Sequence, residues 1–174
     1  MYIGNDNIYF KPITTEDSEL IIRWRNSNLV RPFFIDQNLF TLESHMKWFE
    51  SMIMTQKAFQ FIVYDKKTDR PFGCAYLRDY DRANKKIEYG TFIGEKDCQG
   101  KGYGTQMAEI ACEYAFNNLD IHKVFARVIS SNKASSRSFE KAGFTKEAYL
   151  EDEVIINGEY KDIIFYAKIC GNER

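Results

Sequence analysis

The sequence predicts one α/β domain, residues 1–174, with a mixed central sheet of about seven strands and about four flanking helices. Three observations support this prediction. Apolar runs joined by polar turns in the first half are typical of an antiparallel meander. A glycine-rich turn followed by a helix and a strand indicates a crossover, which joins parallel strands. The dipeptide Asn157-Gly158 between two strand-like runs is a strong hairpin signal.

A first strand and two helices are predicted before the meander. The strand runs from Ile8 to Ile13, and Pro12 confines it to a sheet edge or a strand end. Thr14 and Asp17 resemble a capping box for the first helix, and Thr41 is a suitable cap for the second. The apolar residues expected on the buried faces are Leu20, Ile21 and Trp24 in the first helix, and Leu42, Met46, Phe49 and Ile53 in the second.

The meander and the crossover follow. Three strands are expected at Phe59 to Tyr64, Pro71 to Asp79 and Lys86 to Ile93. The glycine turn Gln99 to Gly104 then leads into a helix, and the next strand is Lys123 to Val128. The strands before and after this helix should therefore be parallel.

The C-terminal part predicts a short helix and a long hairpin. Asn132 opens the helix, and Gly143 is a suitable left-handed residue at its end. Strands are expected at Phe144 to Ile156 and Tyr160 to Ile169.

The composition is that of an ordinary globular domain. Hydrophobic residues make up 44% of the chain and aromatic residues 16%, enough for a sizeable core. The formal net charge is −1, from 24 basic and 25 acidic residues, so nothing indicates a nucleic acid partner. No segment approaches the ~18 apolar residues of a membrane helix, so we expect no membrane partner. The N-terminus also lacks the pattern of a signal peptide.

The cysteines are scattered along the chain. Cys74, Cys98, Cys112 and Cys170 show neither the spacing of a zinc site nor that of a disulfide framework. We therefore expect no metal, reduced thiols and a cytoplasmic location.

A glycine-rich turn carries the clearest chemical signal. In the segment Gln99 to Thr105, glycines at alternate positions allow positive φ angles and close approach of a ligand to the backbone. The helix that follows directs unpaired N–H groups and its positive dipole end at the same place. This combination is typical of phosphate binding, although a turn that only permits tight packing is the alternative.

Two motifs resemble those of the GNAT superfamily of N-acetyltransferases. Gln99-x-x-Gly102-x-Gly104 matches the pyrophosphate-loop pattern R/Q-x-x-G-x-G/A. The segment from Asn132 to Phe144 is similar to the second motif, N-x-x-A-x-x-x-Y-x-K-x-G-F. The predicted elements also match the family's order over nearly the whole chain. The resemblance implies a GNAT fold with a parallel pair of strands that splay at the acetyl-CoA site, and N-acetyltransferase activity with acetyl-CoA as co-substrate.

The resemblance also implies roles for individual residues. Backbone groups of Phe92 and Ile93 would hold the pantetheine and polarise the thioester carbonyl. Glu88 would act as general base if burial raises its pKa, or would only pair with a cationic substrate or a lysine. The predicted coenzyme-binding residues are Phe92, Ile93, Gln99, Gly100, Lys101, Gly102, Tyr103, Gly104, Thr105, Asn132, Phe139 and Lys141.

One position departs from the family pattern. The motif's tyrosine, often the acid that protonates the leaving thiolate, is Phe139 here. A serine of this helix is thought to substitute in the related ribosomal-protein acetyltransferases, and Ser135 is the best match. The alternative for Ser135 is a hydroxyl bonded to the backbone or the coenzyme. A non-catalytic acetyl-CoA-binding module is therefore an alternative of another class.

Two local patterns bear on the acceptor. The WRN segment at Trp24 and the helix from His45 to Phe49 are similar to acetyltransferases of nucleotide-linked amino sugars. The pattern from Gly143 to Asp162 resembles the ribosomal-protein alanine and spermidine acetyltransferases. We expect a small-molecule amine, an amino sugar nucleotide or a polyamine, with the N-terminal α-amine of a ribosomal protein as the alternative.

Five residues are predicted to bind the acceptor. The arginines of this set would meet the phosphates of a sugar nucleotide or would form a solvated surface pair. The sequence is also compatible with a homodimer. The predicted substrate-binding residues are Arg25, Arg31, Phe33, His45 and Trp48.

Overall fold

An eight-stranded mixed sheet organises the chain, of which the computed structural model describes residues 3–171. The strand order is β1-β2-β3-β4-β5-β6-β8-β7. The strands are β1 (Ile3–Gly4), β2 (Ile8–Pro12), β3 (Phe59–Asp65), β4 (Arg70–Asp81), β5 (Lys86–Ile93), β6 (Lys123–Ile129), β7 (Thr145–Ile156) and β8 (Glu159–Ile169). The mixed α/β fold predicted from the sequence is confirmed, and the short β1 is the additional strand.

The parallel pair lies in the middle of this sheet. β5 and β6 are parallel and pair only from Lys86↔Lys123 to Glu88↔Phe125. The other strand pairs in the described part of the chain are antiparallel. β5 continues to Ile93 on its β4 side, whereas β6 continues on its β8 side. The two strands therefore separate beyond Glu88 and open a cleft in the sheet.

Four α-helices in the described part of the chain cover the two faces of the sheet. They are α1 (Ser18–Asn26), α2 (Leu42–Trp48), α3 (Tyr103–Asn118) and α4 (Lys133–Lys141). Buried residues of α3 and α4, among them Met107 and Phe139, form one core with the sheet. Ile21 and Trp24 of α1 form a second core on the other face. The cleft between β5 and β6 is therefore flanked by helices on both faces of the sheet.

The predicted capping residues lie at the starts of three helical segments, with Thr14 and Asp17 at a 3₁₀ turn, Thr15–Asp17, that leads into α1. Asp17 Oδ2 accepts a hydrogen bond of 2.7 Å from the Thr14 N–H, and Thr41 Oγ1 accepts one of 3.1 Å from the Ser44 N–H. Asn132 Oδ1 accepts a bond of 3.2 Å from the Ser135 N–H, which orients the first turn of α4. Gly143 has a φ of +84° directly after α4, as predicted.

The buried face of α2 differs from the prediction. Leu42, expected on this face, is 57% exposed, whereas Phe49 is buried as predicted and His45 is an additional buried residue. Leu42 is the first residue of α2, directly after the cap Thr41. A π-helical turn, Phe49–Ile53, follows the helix, and in it the Met54 N–H donates to the Phe49 carbonyl, so the regular helical spacing ends at Phe49.

None of the helices in the range 3–171 is both long and apolar enough to cross a membrane.

Candidate active site

A cleft of about 1410 Å³ follows the splay between β5 and β6. One end is the glycine loop before α3, and the other lies against α1, α2 and the segment between them. The residue types at the two ends differ.

The glycine loop offers an anion site. Gly100 and Gly102 have φ angles of +73° and +77°, and the space where a Cβ would stand at either residue is open. α3 begins at Tyr103, so its first N–H groups lack intrahelical partners and point to this end of the cleft. Arg137 and Lys141 of α4 line the same cleft and add positive charge. These features fit the diphosphate of coenzyme A.

Gly104 has a different role in the loop. A Cβ on Gly104 would stand 3.0 Å from Ser138 Oγ, so the start of α3 approaches α4 closely here. The glycine is thus explained by helix–helix contact as well as by ligand access.

The central part of the cleft is formed by β5 after it leaves β6. Phe92 and Ile93 line the cleft, as predicted. Because no β6 residue pairs with β5 beyond Glu88, the backbone groups of this segment that point toward β6 have no strand partner. Unpaired N–H and C=O groups along an extended strand suit the amides of a pantetheine arm.

Glu88 does not meet the condition set for a general base. Its side chain is 3% exposed and does not line the cleft. Arg78 Nε donates to it at 2.7 Å, and Arg127 donates through Nε and Nη2 at 2.8 and 3.0 Å. Burial raises the pKa of Glu88, but the hydrogen bonds from Arg127 and the charge of Arg78 outweigh this effect and lower it. The condition of a raised pKa is therefore not met, and Glu88 is an ionised clamp joining β4, β5 and β6.

Phe139 lies in an aromatic cluster at the edge of the cleft. Its ring is 5.7 Å from that of Tyr89, 5.0 Å from Phe144 and 5.9 Å from Tyr166, measured between centroids. Phe139 lines the cleft but has no proton to donate. Ser135, one turn earlier on α4, is half-buried and also lines the cleft.

A buried arginine marks the other end of the cleft. Arg25 is 3% exposed, and its guanidinium carbon lies 3.4 Å from the Phe34 ring centroid and 4.6 Å from that of Phe40. Nη2 donates to the Asp36 carbonyl at 3.0 Å, whereas the buried Nη1 has no partner within residues 3–171. Burial lowers the pKa of Arg25 to about 10, so the group remains charged at neutral pH. The solvated surface pair considered for Arg25 is therefore wrong.

His45 is a second unsatisfied group at this end. It is buried on α2 beside Trp48, and its Nε2 has no partner in the described residues. Burial lowers its pKa, so the imidazole is neutral near pH 7. Trp48 and Phe33 line the cleft with it, whereas Arg31 does not.

Most predicted site residues lie together. Lys101 is outside the cleft lining, as are Arg31 and Glu88. The roles of the others remain predictions. Those that line the cleft are Arg25, Phe33, His45, Trp48, Phe92, Ile93, Gln99, Gly100, Gly102, Tyr103, Gly104, Thr105, Asn132, Ser135, Phe139 and Lys141.

Several residues of the cleft were missed from the sequence, and three of them lie on the strands that flank the splay. Tyr76 and Arg78 of β4 and Arg127 of β6 face the splay. The sequence contained one signal for the two arginines. Each lies within a largely apolar strand, where a charged side chain needs a partner. Within residues 3–171, no cluster of three or more His, Cys, Asp or Glu side chains is arranged to hold a metal ion.

Comparisons with known proteins identify relatives of the chain. A family model of the acetyltransferase (GNAT) domain matches residues 7–145. The probable N-acetyltransferase YjcK of Bacillus subtilis is 27% identical over 164 residues, which cover 89% of this chain and 90% of YjcK. The ribosomal protein uS5-alanine N-acetyltransferase of Escherichia coli is 31% identical over 111 residues, covering 63% of this chain and 57% of that enzyme.

A solved structure shares the fold. The spermidine N-acetyltransferase of Vibrio cholerae, in complex with CoA and spermine, superposes with a TM-score of 0.87 at 21% identity, covering 95% of this chain and 96% of that one. Another structure of the same enzyme is described as dodecameric and has a TM-score of 0.80 at 21% identity, with 95% of each chain covered.

Proposed function

Because the chain belongs to the GNAT family of acetyl-CoA-dependent N-acetyltransferases, we propose that the two ends of its cleft hold acetyl-CoA and a small-molecule primary amine. The observation that carries this proposal is the continuity of the cleft, which runs from the glycine loop past the splay to the buried Arg25. Transfer between two substrates requires one space that joins two different binding sites.

The coenzyme end is the glycine loop with the start of α3. The N–H groups of the first turn and the charges of Arg137 and Lys141 would hold the diphosphate. Unpaired backbone groups of Phe92 and Ile93 would hold the pantetheine arm and polarise the carbonyl. Acetyl-CoA supplies the activated thioester, and the residues of the chain only position it.

Proton movement in this site is proposed to need no carboxylate base. A free alkyl ammonium has a pKa near ~10 and must lose its proton before it attacks. Glu88 is ionised but enclosed by two arginines and lies outside the cleft, so the proton would leave through the open cleft to water. The thiolate of a thiol with a pKa near ~8.5 leaves with little assistance. Ser135 remains the candidate residue to donate a proton to this thiolate.

The acceptor class favoured by the geometry is an amine that carries an anionic group. Arg25 Nη1 is a charged donor that has no partner among residues 3–171, and the guanidinium is held between two aromatic rings. An unpaired buried charge is costly, and a phosphate or carboxylate of the acceptor would satisfy it. His45 is placed to add a hydrogen bond. A nucleotide-linked amino sugar has this chemistry.

A polyamine is the second candidate. The relatives named for spermidine favour it, since they match over nearly the whole chain. Asp36 and Asp79 line the cleft and would attract a cationic acceptor. The two candidates differ in the charge of the group that accompanies the reacting amine, which is negative in an amino sugar nucleotide and positive in a polyamine.

An acceptor panel tests the function and the acceptor class together. Purified enzyme is incubated with acetyl-CoA and UDP-glucosamine, spermidine or an alanine-initiated peptide, and each product is measured by mass. We expect acetylated UDP-glucosamine, with a KM raised about 10-fold or more in Arg25→Gln because a charged hydrogen bond is lost. Arg23→Gln, an exposed position on the same helix, is the control and should leave KM unchanged.

Other results of the panel would overturn this choice. Acetylation of spermidine without an effect of Arg25→Gln would favour the polyamine, and a modified peptide would favour the ribosomal-protein alternative. Binding of acetyl-CoA without any product would favour the non-catalytic module.

Assembly and location are further proposals. Tyr149, Ile155 and Tyr160 are exposed on the β7–β8 hairpin at the sheet edge, which suits self-association into a homodimer or a larger oligomer. The dodecameric relative supports an oligomer. Light scattering on the purified chain measures the assembly.

The cytoplasmic location remains a proposal based on composition.

A further inference from the structure

Tyr76 occupies the point where β5 leaves β6. It pairs with Gly90, which lies two residues beyond Glu88, the last β5 residue paired with β6. A Cβ on Gly90 would stand 2.2 Å from Cε2, Cζ and Oη of Tyr76. The phenol head therefore rests directly on the Gly90 backbone, and only glycine leaves room for it there.

The neighbours of Tyr76 hold its ring in this position. The Phe34 ring centroid is 6.4 Å away, and the Arg78 guanidinium carbon is 5.4 Å from the Tyr76 ring centroid. Arg78 is in turn held by Glu88. The ring belongs to the face of the sheet covered by α1 and α2, and it lines the cleft.

The hydroxyl of Tyr76 is available to a ligand. No group within residues 3–171 forms a hydrogen bond with it. Burial raises the pKa of Tyr76 although Arg78 and Arg25 act in the opposite direction, so the phenol is neutral near pH 7. A neutral phenolic oxygen accepts hydrogen bonds as well as donating one.

We propose that Tyr76 binds the acceptor amine, with its phenolic oxygen accepting a hydrogen bond from the amine N–H beside the splay. This inference rests on the proposed function and adds a substrate contact to it. An amine that attacks a carbonyl must direct its lone pair at the carbon and its N–H groups elsewhere. Glu88 lies outside the cleft and is committed to two arginines, whereas Tyr76 lines the cleft.

A pair of hydroxyl deletions tests the proposal. Tyr76→Phe removes only the phenolic oxygen, and Tyr64→Phe is the matched control. Tyr64 lies on the neighbouring strand β3 on the same face of the sheet, but outside the cleft. With whichever of UDP-glucosamine or spermidine the wild-type enzyme acetylates, Tyr76→Phe should lower kcat/KM for the amine about 10-fold or more. Its acetyl-CoA affinity by calorimetry and its melting temperature should match those of the control.

A spectroscopic measurement separates binding from turnover. In enzyme labelled with carbon-13 at tyrosine Cζ, the Tyr76 resonance is assigned by its loss in Tyr76→Phe. Adding the amine to the complex with CoA should shift this resonance and leave that of Tyr64 in place. CoA has no acetyl group, so the shift reports contact alone.

The outcomes distinguish this inference from the function on which it rests. An active wild-type enzyme with an unchanged Tyr76→Phe variant, or with no shift of the Tyr76 resonance, overturns the role of Tyr76 alone. A wild-type enzyme that acetylates neither amine overturns the proposed small-molecule acceptor and this inference with it. Reduced acetyl-CoA affinity in Tyr76→Phe would place the residue at the coenzyme and refute an amine contact.

Discussion

Replacing Glu88 by glutamine should destabilise the protein more than it impairs the chemistry. The carboxylate of Glu88 accepts three hydrogen bonds, one from Arg78 and two from Arg127, at the last paired position of β5 and β6. Glutamine has a similar shape but carries no charge, and its amide nitrogen would face guanidinium donors. The change therefore removes the negative charge that holds three strands together.

The size of the effect follows from burial. Removing one partner of a buried ion pair costs about 3–5 kcal/mol. Arg78 and Arg127 have side chains that are 39% exposed and can be hydrated again, so we expect the lower end of this range. In a chain of 174 residues, a loss of about 3 kcal/mol lowers the melting temperature by about 6–12 °C.

The pH dependence of the effect has a defined sign. The pKa of Glu88 is lowered in the folded state, so its contribution to stability is fully present above the ordinary carboxyl pKa of about 4.3. This contribution is lost as the pH falls through the lower folded-state value. The difference in free energy of unfolding between wild type and Glu88→Gln should therefore be largest near pH 7 and should shrink below about pH 4.

Urea unfolding at pH 7 and pH 3 measures this difference, and Glu147→Gln is the matched control. Glu147 pairs with Lys123 at 2.6 Å, but both side chains are about one third exposed, so we expect a change below about 1 kcal/mol. Turnover is measured from pH 7 to pH 9.5. An unchanged stability of Glu88→Gln, with about 10²-fold lower turnover that recovers at high pH, would show that Glu88 is a general base and refute the clamp.

Two further predictions concern the coenzyme end. Gly104→Val should weaken acetyl-CoA binding, because a Cβ there stands 3.0 Å from Ser138 Oγ and would displace the start of α3; unchanged affinity by calorimetry in a folded variant would contradict the loop assignment. Phe139→Tyr should leave turnover equal or higher, since the hydroxyl restores the family's usual acid; a large loss with the fold intact would mean that the ring position serves the acceptor instead.

The parts of the fold that were predictable depend on local chemistry. Alternate glycines, a hairpin dipeptide and capping side chains act within a few residues, and the structure contains each of them where the sequence indicated. The crossover from β5 through α3 to β6 follows from chain handedness and needs no distant contact. The splay came from resemblance to the family, because the point at which two strands separate is not encoded by either strand alone.

The parts that were wrong depend on contacts between distant segments. Glu88 was judged without its partners, since Arg78 and Arg127 lie 10 and 39 residues away and meet it only through the strand register. For Arg25 the sequence left two alternatives, a contact with an acceptor phosphate and a solvated surface pair, and the burial of Arg25 excludes the second. Its burial depends on Phe34 and Phe40, which come from a loop without a periodic pattern.

The two faces of the sheet divide the work of the cleft. α3 and α4 supply the anion site on one face, whereas Arg25 and Tyr76 lie on the face covered by α1 and α2. The splay of β5 and β6 is the passage between the faces, and the clamp residue Glu88 is the last residue of β5 that pairs with β6 before this passage. We infer that substitutions on the α1 and α2 face alter the choice of amine and leave coenzyme affinity unchanged, whereas a change in the clamp moves the passage itself and affects both substrates together.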